Sequence, residues 1–429
     1  MKRIIAVLAV VVMMGVSSIA FAASDISVSG EIDIRSRNYS NLTLDKNASA
    51  VDGQQVDTQE RVRLEVNVKA DDVSGKIAIE NDYEAFNRNE RYAADGSGTN
   101  PDSGSVFLKV REAWVGFKIP DTPIGIKAGH QLLALGNGWF YRAMKYGADA
   151  WVVYTDIDKL HLGFVNVKVN EGSSGQNGDD TDFYVLVANM KMSDTMNAGV
   201  NITDAKFRAA QDPGVAEDLN LMNFGFFFNA KLGIVDLKTE LDIQNGKLTA
   251  AKDTANEDVK FSGNQIVIEA KAAMDSVTIN GTIARGTGQK FDETPNKVKA
   301  QVNVLDADRH YTLMYEYKIA GPAGKHAGFS GTTALNVGVQ ANVGKSLTVG
   351  ANAWYLQATE KQTYAGAAAD ESTTDIGTEL DANINWQITK SLSWNWDFGY
   401  FAPGKLYNKA DGSKGDAATG IQGVLAFKF

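Results

Sequence analysis

Arginine recurs at two-residue spacing near the start of the chain: Arg35 and Arg37, then Arg61 and Arg63. On an extended strand, residues two apart share a face, so each pair presents adjacent guanidinium groups to one side. Arg111, Lys127, Arg142 and Lys145 continue the basic set. Carboxylates recur in the same way at Glu65, at Glu80, Asp82 and Glu84, and at Glu240 and Asp242. Ordered rows of opposite charge can orient or select charged solutes in a narrow passage; interleaved, they can instead stiffen a wall as a neutral ladder. Both readings stand at the level of sequence.

Catalytic chemistry finds little material. The chain has no Cys, which excludes a thiol nucleophile, a disulfide framework and Cys-based metal sites. Its four His, at 130, 161, 310 and 326, show no metal-ligand spacing, and no nucleophile elbow, P-loop or H-E-x-x-H is present. The reading is a non-enzyme with no cofactor and no metal. Acidic stretches such as Asp95 to Asp102 and Asp179 to Asp182 lack the bidentate Glu of a Ca²⁺ loop.

The elements that must carry these side chains have a period of two. Val235 to Gln244 reads V-D-L-K-T-E-L-D-I-Q, and Val62 to Ala70 reads V-R-L-E-V-N-V-K-A. Ile376 to Ile388 alternates in the same manner. Each is a strand with one apolar and one polar face. Twenty such segments can be drawn if the weak ones at 148–154 and 297–305 are accepted, with 310–318 among the twenty; eighteen is the alternative. Tight turns at 71–72, 193–194, 233–234, 275, 344–345 and 389–390 alternate with long polar connections. No apolar run after the first residues reaches the roughly 20 needed for a membrane helix. The expected fold is therefore all-β, a closed antiparallel transmembrane β-barrel of about 18–20 strands. Its last strand ends Ile421, Gly423, Leu425, Phe427, Phe429 on one face and closes against the first.

Residues 1–22 carry a charged start (Lys2, Arg3), an apolar run from Ile4 to Val16, and Ala20-Phe21-Ala22. This is the layout of a secretory signal peptide, leaving 23–429 as a single barrel domain. Removing its two cations takes the net charge from −10 to −12, too acidic for nucleic-acid binding.

Three stretches resemble the porin and alginate-export-like group of Gram-negative outer-membrane barrels. They are R-E-A-W-V-G-F-K (Arg111 to Lys118), I-K-A-G-H-Q-L-L-A-L-G-N-G-W-F (Ile126 to Phe140) and the segment from Asp375 to Gly404. His130 stands where that group usually has Arg. The resemblance implies an outer-membrane location, contact with lipid, and a water-filled channel through which small hydrophilic or charged solutes diffuse passively. It also implies assembly through the C-terminal Phe429 and, in many members, homotrimers. One alternative is a selective channel or exporter for anionic oligosaccharide. Another is a structural or adhesive barrel with a plugged lumen.

In such a barrel the polar faces line the lumen. Arg35, Arg37, Arg61, Arg63, Glu65, Glu80, Asp82, Glu84, Arg111, Lys127, Arg142, Lys145, Glu240 and Asp242 are the expected pore-lining or constriction residues. Trp114, Trp151 and Trp354 fall on inward parity, where they could stack on sugar rings. Gly199, Gly225, Gly338 and Gly350, also inward, would keep the bore open. The segment 132–147 is unusually apolar for an exposed loop and is expected to fold into the barrel mouth. Replacing Arg61 and Arg63 together by Glu is expected to shift ion selectivity toward cations; an unchanged reversal potential would remove the basic wall as a selecting element.

Overall fold

The computed structural model describes residues 24–47, 53–85, 109–171, 180–208, 218–249, 258–290, 297–306, 308–319, 321–364 and 371–429. The export segment at 1–22 and the acidic loop at 95–102 lie outside the described residues, as do the side chains of Asp82 and Glu84.

One 21-stranded sheet accounts for the fold. Its first strands are β1 (Ser24–Ser40), β2 (Gln54–Ala70), β3 (Val73–Ala85), β4 (Lys109–Lys118), β5 (Ile124–Ala134) and β6 (Tyr141–Ile157). There follow β7 (Leu160–Asn170), β8 (Thr181–Ser193), β9 (Met196–Phe207), β10 (Asp218–Leu232), β11 (Val235–Thr249) and β12 (Val259–Phe261). Next come β13 (Asn264–Met274), β14 (Val277–Gly286), β15 (Lys297–Val298), β16 (Val304–Leu305) and a one-turn helix, α1 (Tyr315–Lys318). The chain finishes with β17 (Thr332–Val343), β18 (Leu347–Thr363), β19 (Ser372–Gln387), β20 (Leu392–Pro403) and β21 (Ala418–Lys428).

Among the described residues, eighteen strands form the wall, each antiparallel to its neighbours; β12, β15 and β16 are short additions. The wall closes where β21 pairs β1, with Ile34 opposite Leu425 and Ile32 opposite Phe427. Gly30 and Phe429 exchange backbone hydrogen bonds of 2.9 and 3.0 Å at the end of this seam. Closure leaves no open sheet edge, the condition for crossing a lipid layer with strands.

Eighteen is the lower end of the expected 18–20, and the two segments drawn as extra strands account for the difference. The segments 297–305 and 310–318 are not wall strands: β14 pairs directly with β17, and the chain between them enters the barrel. Tyr311, Leu313, Tyr315 and Tyr317 fall at two-residue spacing, interleaved with Thr312, Met314 and Glu316, yet they form a buried loop and helix, packed on both sides by wall and neighbouring loop. The weak segment at 148–154 is a genuine wall strand, part of the longer β6.

The hairpin turns follow from residue chemistry. Asp71, Asp158 and Asp275 adopt positive φ, as do Gly233 and Gly344, which suits the twist of two paired strands. The outer face carries a broad apolar belt: Ile26, Ile77, Leu186, Ile283, Val337 and Leu380 are all exposed. So large an uncovered apolar surface is stable only against hydrocarbon. Trp386, Trp394, Phe427 and Phe429 gather toward the short-turn end of this belt, and Trp151, Tyr184, Tyr355 and Tyr400 lie further along.

The inward glycines act differently from expectation. A side chain at Gly338 would collide with the amides of Asn280 and Asn352, and one at Gly225 with Asn201. These glycines make room for neighbouring inward Asn side chains, which bond across the ladder: Asn280 Nδ2 donates to Asn336 Oδ1 at 3.1 Å and to Asn352 Oδ1 at 3.0 Å.

Val337 is 68% exposed at the middle of β17. Val337→Arg is expected to destabilise the barrel in lipid vesicles by about 2–4 kcal/mol, the cost of a cation at the hydrocarbon midplane, measured by denaturant titration.

Candidate functional site

The arginines of β1 to β4 and Lys76 face inward, and each has a polar partner. Arg37 makes a two-pronged contact with Asp57, at 2.8 and 2.5 Å. Arg35 donates to Gln59 at 2.6 Å. Arg61 binds Asp33 and lies 3.4 Å from Glu31. Arg63 Nε donates to Glu80 at 2.5 Å. Arg111 sits among Glu65, Glu80 and Glu112, and donates to the carbonyls of Met144 (2.8 Å) and Lys145 (3.1 Å). Lys76 bridges Glu65 and Glu112 at 2.9 and 2.7 Å. The register supplies the reason: Asp33 lies opposite Arg61 and Glu80 opposite Arg63, so cations and carboxylates alternate across adjacent strands. Of the two sequence readings, this geometry is the interleaved ladder.

Lys127 lies over the ring of Trp114, 4.0 Å from its centroid, and Trp114 Nε1 donates to Glu112 at 3.0 Å. Trp354 faces inward but is covered by Tyr311, with centroids 5.2 Å apart. Trp151 faces lipid and is 60% exposed, which corrects its inward assignment. The lumen face of β6 is itself apolar there (Ala148, Ala150, Val152), so alternation carries no information about which side is inside. The carboxylates of Asp180 and Asp182 both close on Lys168 Nζ at 2.9 Å.

Two segments enter the lumen. The first is short, 135–140, because β5 and β6 absorb most of the expected loop; Trp139 and Phe140 are buried. Gly136 and Gly138 take positive φ, which turns successive N–H groups toward β11. There Glu240 accepts hydrogen bonds from the N–H groups of Asn137, Trp139 (2.9 Å) and Phe140 (3.2 Å). Asp242, two residues on, accepts from Asn223 and Gln265, each at 3.0 Å. Glu240 and Asp242 therefore lie beneath a loop, away from the Arg ladder.

The second segment, described at 287–290, 297–306, 308–319 and 321–331, crosses the lumen. Near its start, Val304 pairs with Tyr141 of β6, and Gln244 exchanges hydrogen bonds of 2.7 and 2.8 Å with the backbone of Val302. Asp306 accepts from the N–H groups of Met144 and Lys145 and lies 3.7 Å from Arg142 Nε. Lys145 Nζ is 3.8 Å from Asp308. Further along, Glu379 of β19 accepts the N–H groups of Met314 (2.7 Å) and Tyr315 (2.8 Å). Lys318 reaches Gln55 on β2 at 3.0 Å and lies 4.6 Å from the ring of Tyr39 on β1. The segment so runs from the β6–β11 side to the β19–β2 side.

The two segments meet at an aromatic and cationic junction. Arg309 stacks on Trp139 at 3.6 Å and donates to the carbonyl of Asn137 at 3.4 Å; Trp139 packs on Phe329 with centroids 4.7 Å apart. Below the junction lies a cavity of about 1740 Å³, lined by Asn137, Arg142, Glu269, Lys238 and Arg309 and reaching the short-turn residues Lys159, Asp194 and Lys271. Beside it is an apolar recess of about 220 Å³, lined by Leu133, Leu135, Tyr141, Val165, Phe183 and Val185; Ala134, Gly136, His161 and Asn189 line both. Arg309, Asp306 and Glu379 were not singled out in the sequence. Glu379 stood only as one of the polar-face residues of 376–388; a further signal for it is a repeated tetrapeptide, T-E-L-D, at 239–242 and 378–381.

These features define a class: a membrane-spanning β-barrel whose lumen is narrowed by two inserted segments. Solved structures of similar fold include OccK9 (OpdG) of Pseudomonas aeruginosa, with a TM-score of 0.58 at 11% identity over 94% of this chain and 98% of that one. A BenF-like porin from Pseudomonas fluorescens has a TM-score of 0.58 at 12% identity over 96% and 100%. OpdK of Pseudomonas aeruginosa, solved with vanillate, has 0.54 at 8% over 94% and 98%. At these identities the likeness is one of fold. No protein-family profile and no curated protein matches the chain.

Burial and the nearby guanidinium groups of Arg37 and Arg35 push the ammonium of Lys318 down to about 7. It loses its charge as pH rises through neutrality. Any anion preference measured across the barrel in a KCl gradient is therefore expected to fall between pH 6 and 8, and Lys318→Met to flatten that change; an identical pH profile in the variant removes Lys318 as its source.

Proposed function

We propose that this chain is an outer-membrane channel that admits small hydrophilic and charged solutes by passive diffusion, with a preference for small organic anions that carry an apolar body. The observation that carries this reading is the junction of the two inserted segments, where Arg142 and Arg309 stand at the roof of the large cavity beside the apolar recess. A cation pair in a narrow, partly desolvated passage attracts anions, and the recess can accept a ring or short alkyl group. Vanillate, which the solved OpdK structure contains, has both features. Support for diffusion, rather than catalysis, comes from the likeness to porins and from the absence of recognisable catalytic motifs. Export directed by residues 1–22, assembly through the strand ending at Phe429, and association as a homotrimer belong to the same reading.

A plugged structural barrel is the second reading, favoured by the segment 287–331 lying across the lumen. The two differ in a planar bilayer. The channel reading expects ohmic conductance steps with anion preference, and a benzoate gradient should give a measurable reversal potential. Arg309→Gln and Arg142→Gln should each lower the preference for benzoate over a cation several-fold. Absence of conductance from correctly folded protein would favour the plugged barrel.

A further inference from the structure

The tetrapeptide T-E-L-D occurs at Thr239–Asp242 in β11 and at Thr378–Asp381 in β19. In both copies Leu faces lipid while Glu is buried on the lumen side. In both, that Glu makes no ion pair among the described contacts and is instead used up by backbone N–H groups of an inserted segment. Glu240 takes three, from Asn137, Trp139 and Phe140; Glu379 takes two, from Met314 and Tyr315. The wall strands β13, β14, β17 and β18 separate the two copies, so two separate sites use one device.

The physics explains why a carboxylate is used. A segment folded into a lumen has backbone N–H groups that neither a ladder nor bulk water satisfies, and each costs free energy if left unpaired. A carboxyl group carries two acceptor oxygens on a reach long enough to take several at once. One wall side chain thus holds a turn of loop at a set distance from the wall. Because the two segments touch each other through Arg309, Trp139 and Phe329, neither can move without disturbing the other.

We propose that the two T-E-L-D segments are a matched pair of latches that set the channel's aperture, with Glu240 and Glu379 as positioning residues for the junction of Arg142 and Arg309. This rests on the channel reading above. Glu240→Gln and Glu379→Gln replace an acceptor oxygen by an amide that faces the same N–H donors. Each is expected to raise single-channel conductance by about two-fold with added open-state noise, and to expose Arg309 or Lys318 to trypsin in the detergent-solubilised barrel. The double variant should add little beyond the single ones, because the segments lean on each other. Asp275→Asn, in an exposed turn, should match wild type in both assays.

Glu240→Asp and Glu379→Asp keep the carboxyl group but withdraw it by one methylene, and should fall between wild type and the Gln variants. If the Gln variants fail to assemble, judged by heat-shifted gel mobility, the Asp variants carry the test with the same two readouts. Folded variants with wild-type conductance, noise and trypsin resistance would overturn the proposal. A wild-type chain that is silent in bilayers would sink the channel reading alone, since trypsin sensitivity still decides whether the carboxylates hold the segments.

Discussion

Every backbone polar group that faces hydrocarbon must be satisfied inside the protein, and the rest of this structure follows from that requirement. The seam between β1 and β21 meets it by leaving no free edge, down to the paired hydrogen bonds of Gly30 and Phe429. Once the sheet is closed, the side-chain period of two sends one set of residues to lipid and the other to the lumen. The wall then contributes little freedom of its own. What distinguishes this barrel from a plain cylinder is what it holds inside.

The lumen repeats the same requirement in a milder form. Side chains there can be polar, but they are crowded, and charges away from bulk water need partners. On β1 to β4 the answer is register: Asp33 against Arg61 and Glu80 against Arg63 place opposite charges side by side along the wall. Such a ladder holds neighbouring strands together and presents little net field. The two arginines at the junction, Arg142 and Arg309, are held differently. Arg142 lies near Asp306, while Arg309 is stacked on an aromatic ring. The selecting element in this reading is therefore the junction of the loops rather than the N-terminal wall.

In the proposed reading, the inserted segments also explain how an acidic chain could favour anions. A net charge of −10 is a property of the whole sequence. Buried carboxylates such as Glu240 and Glu379 are occupied by backbone N–H groups, and those of the ladder by Arg and Lys, so they contribute little to the field at the junction. Local placement, not total charge, decides what a narrow passage attracts.

Much of this was legible in the residues. Alternation such as V-R-L-E-V-N-V-K-A, tight turns carried by Asp and Gly, and the aromatic C-terminal strand depend only on local backbone geometry and on which face meets lipid. They determined a closed barrel, its strand directions and the inward direction of Arg35, Arg37, Arg61 and Arg63. Where the lumen face is itself apolar, as along β6, the period loses its meaning and Trp151 was placed on the wrong side. Where alternation arises in a segment buried from both sides, as at 310–318, it mimics a strand. Only the tertiary structure decided which cations are paired, that 287–331 crosses the lumen, and that Glu240 and Glu379 hold backbone rather than solute. The last two depend on contacts such as Glu379 with Met314, Glu240 with Phe140 and Lys318 with Gln55, which are 65, 100 and 263 positions apart. No local pattern encodes such contacts, because the groups that meet are brought together by closure of the barrel and not by their neighbours in the chain.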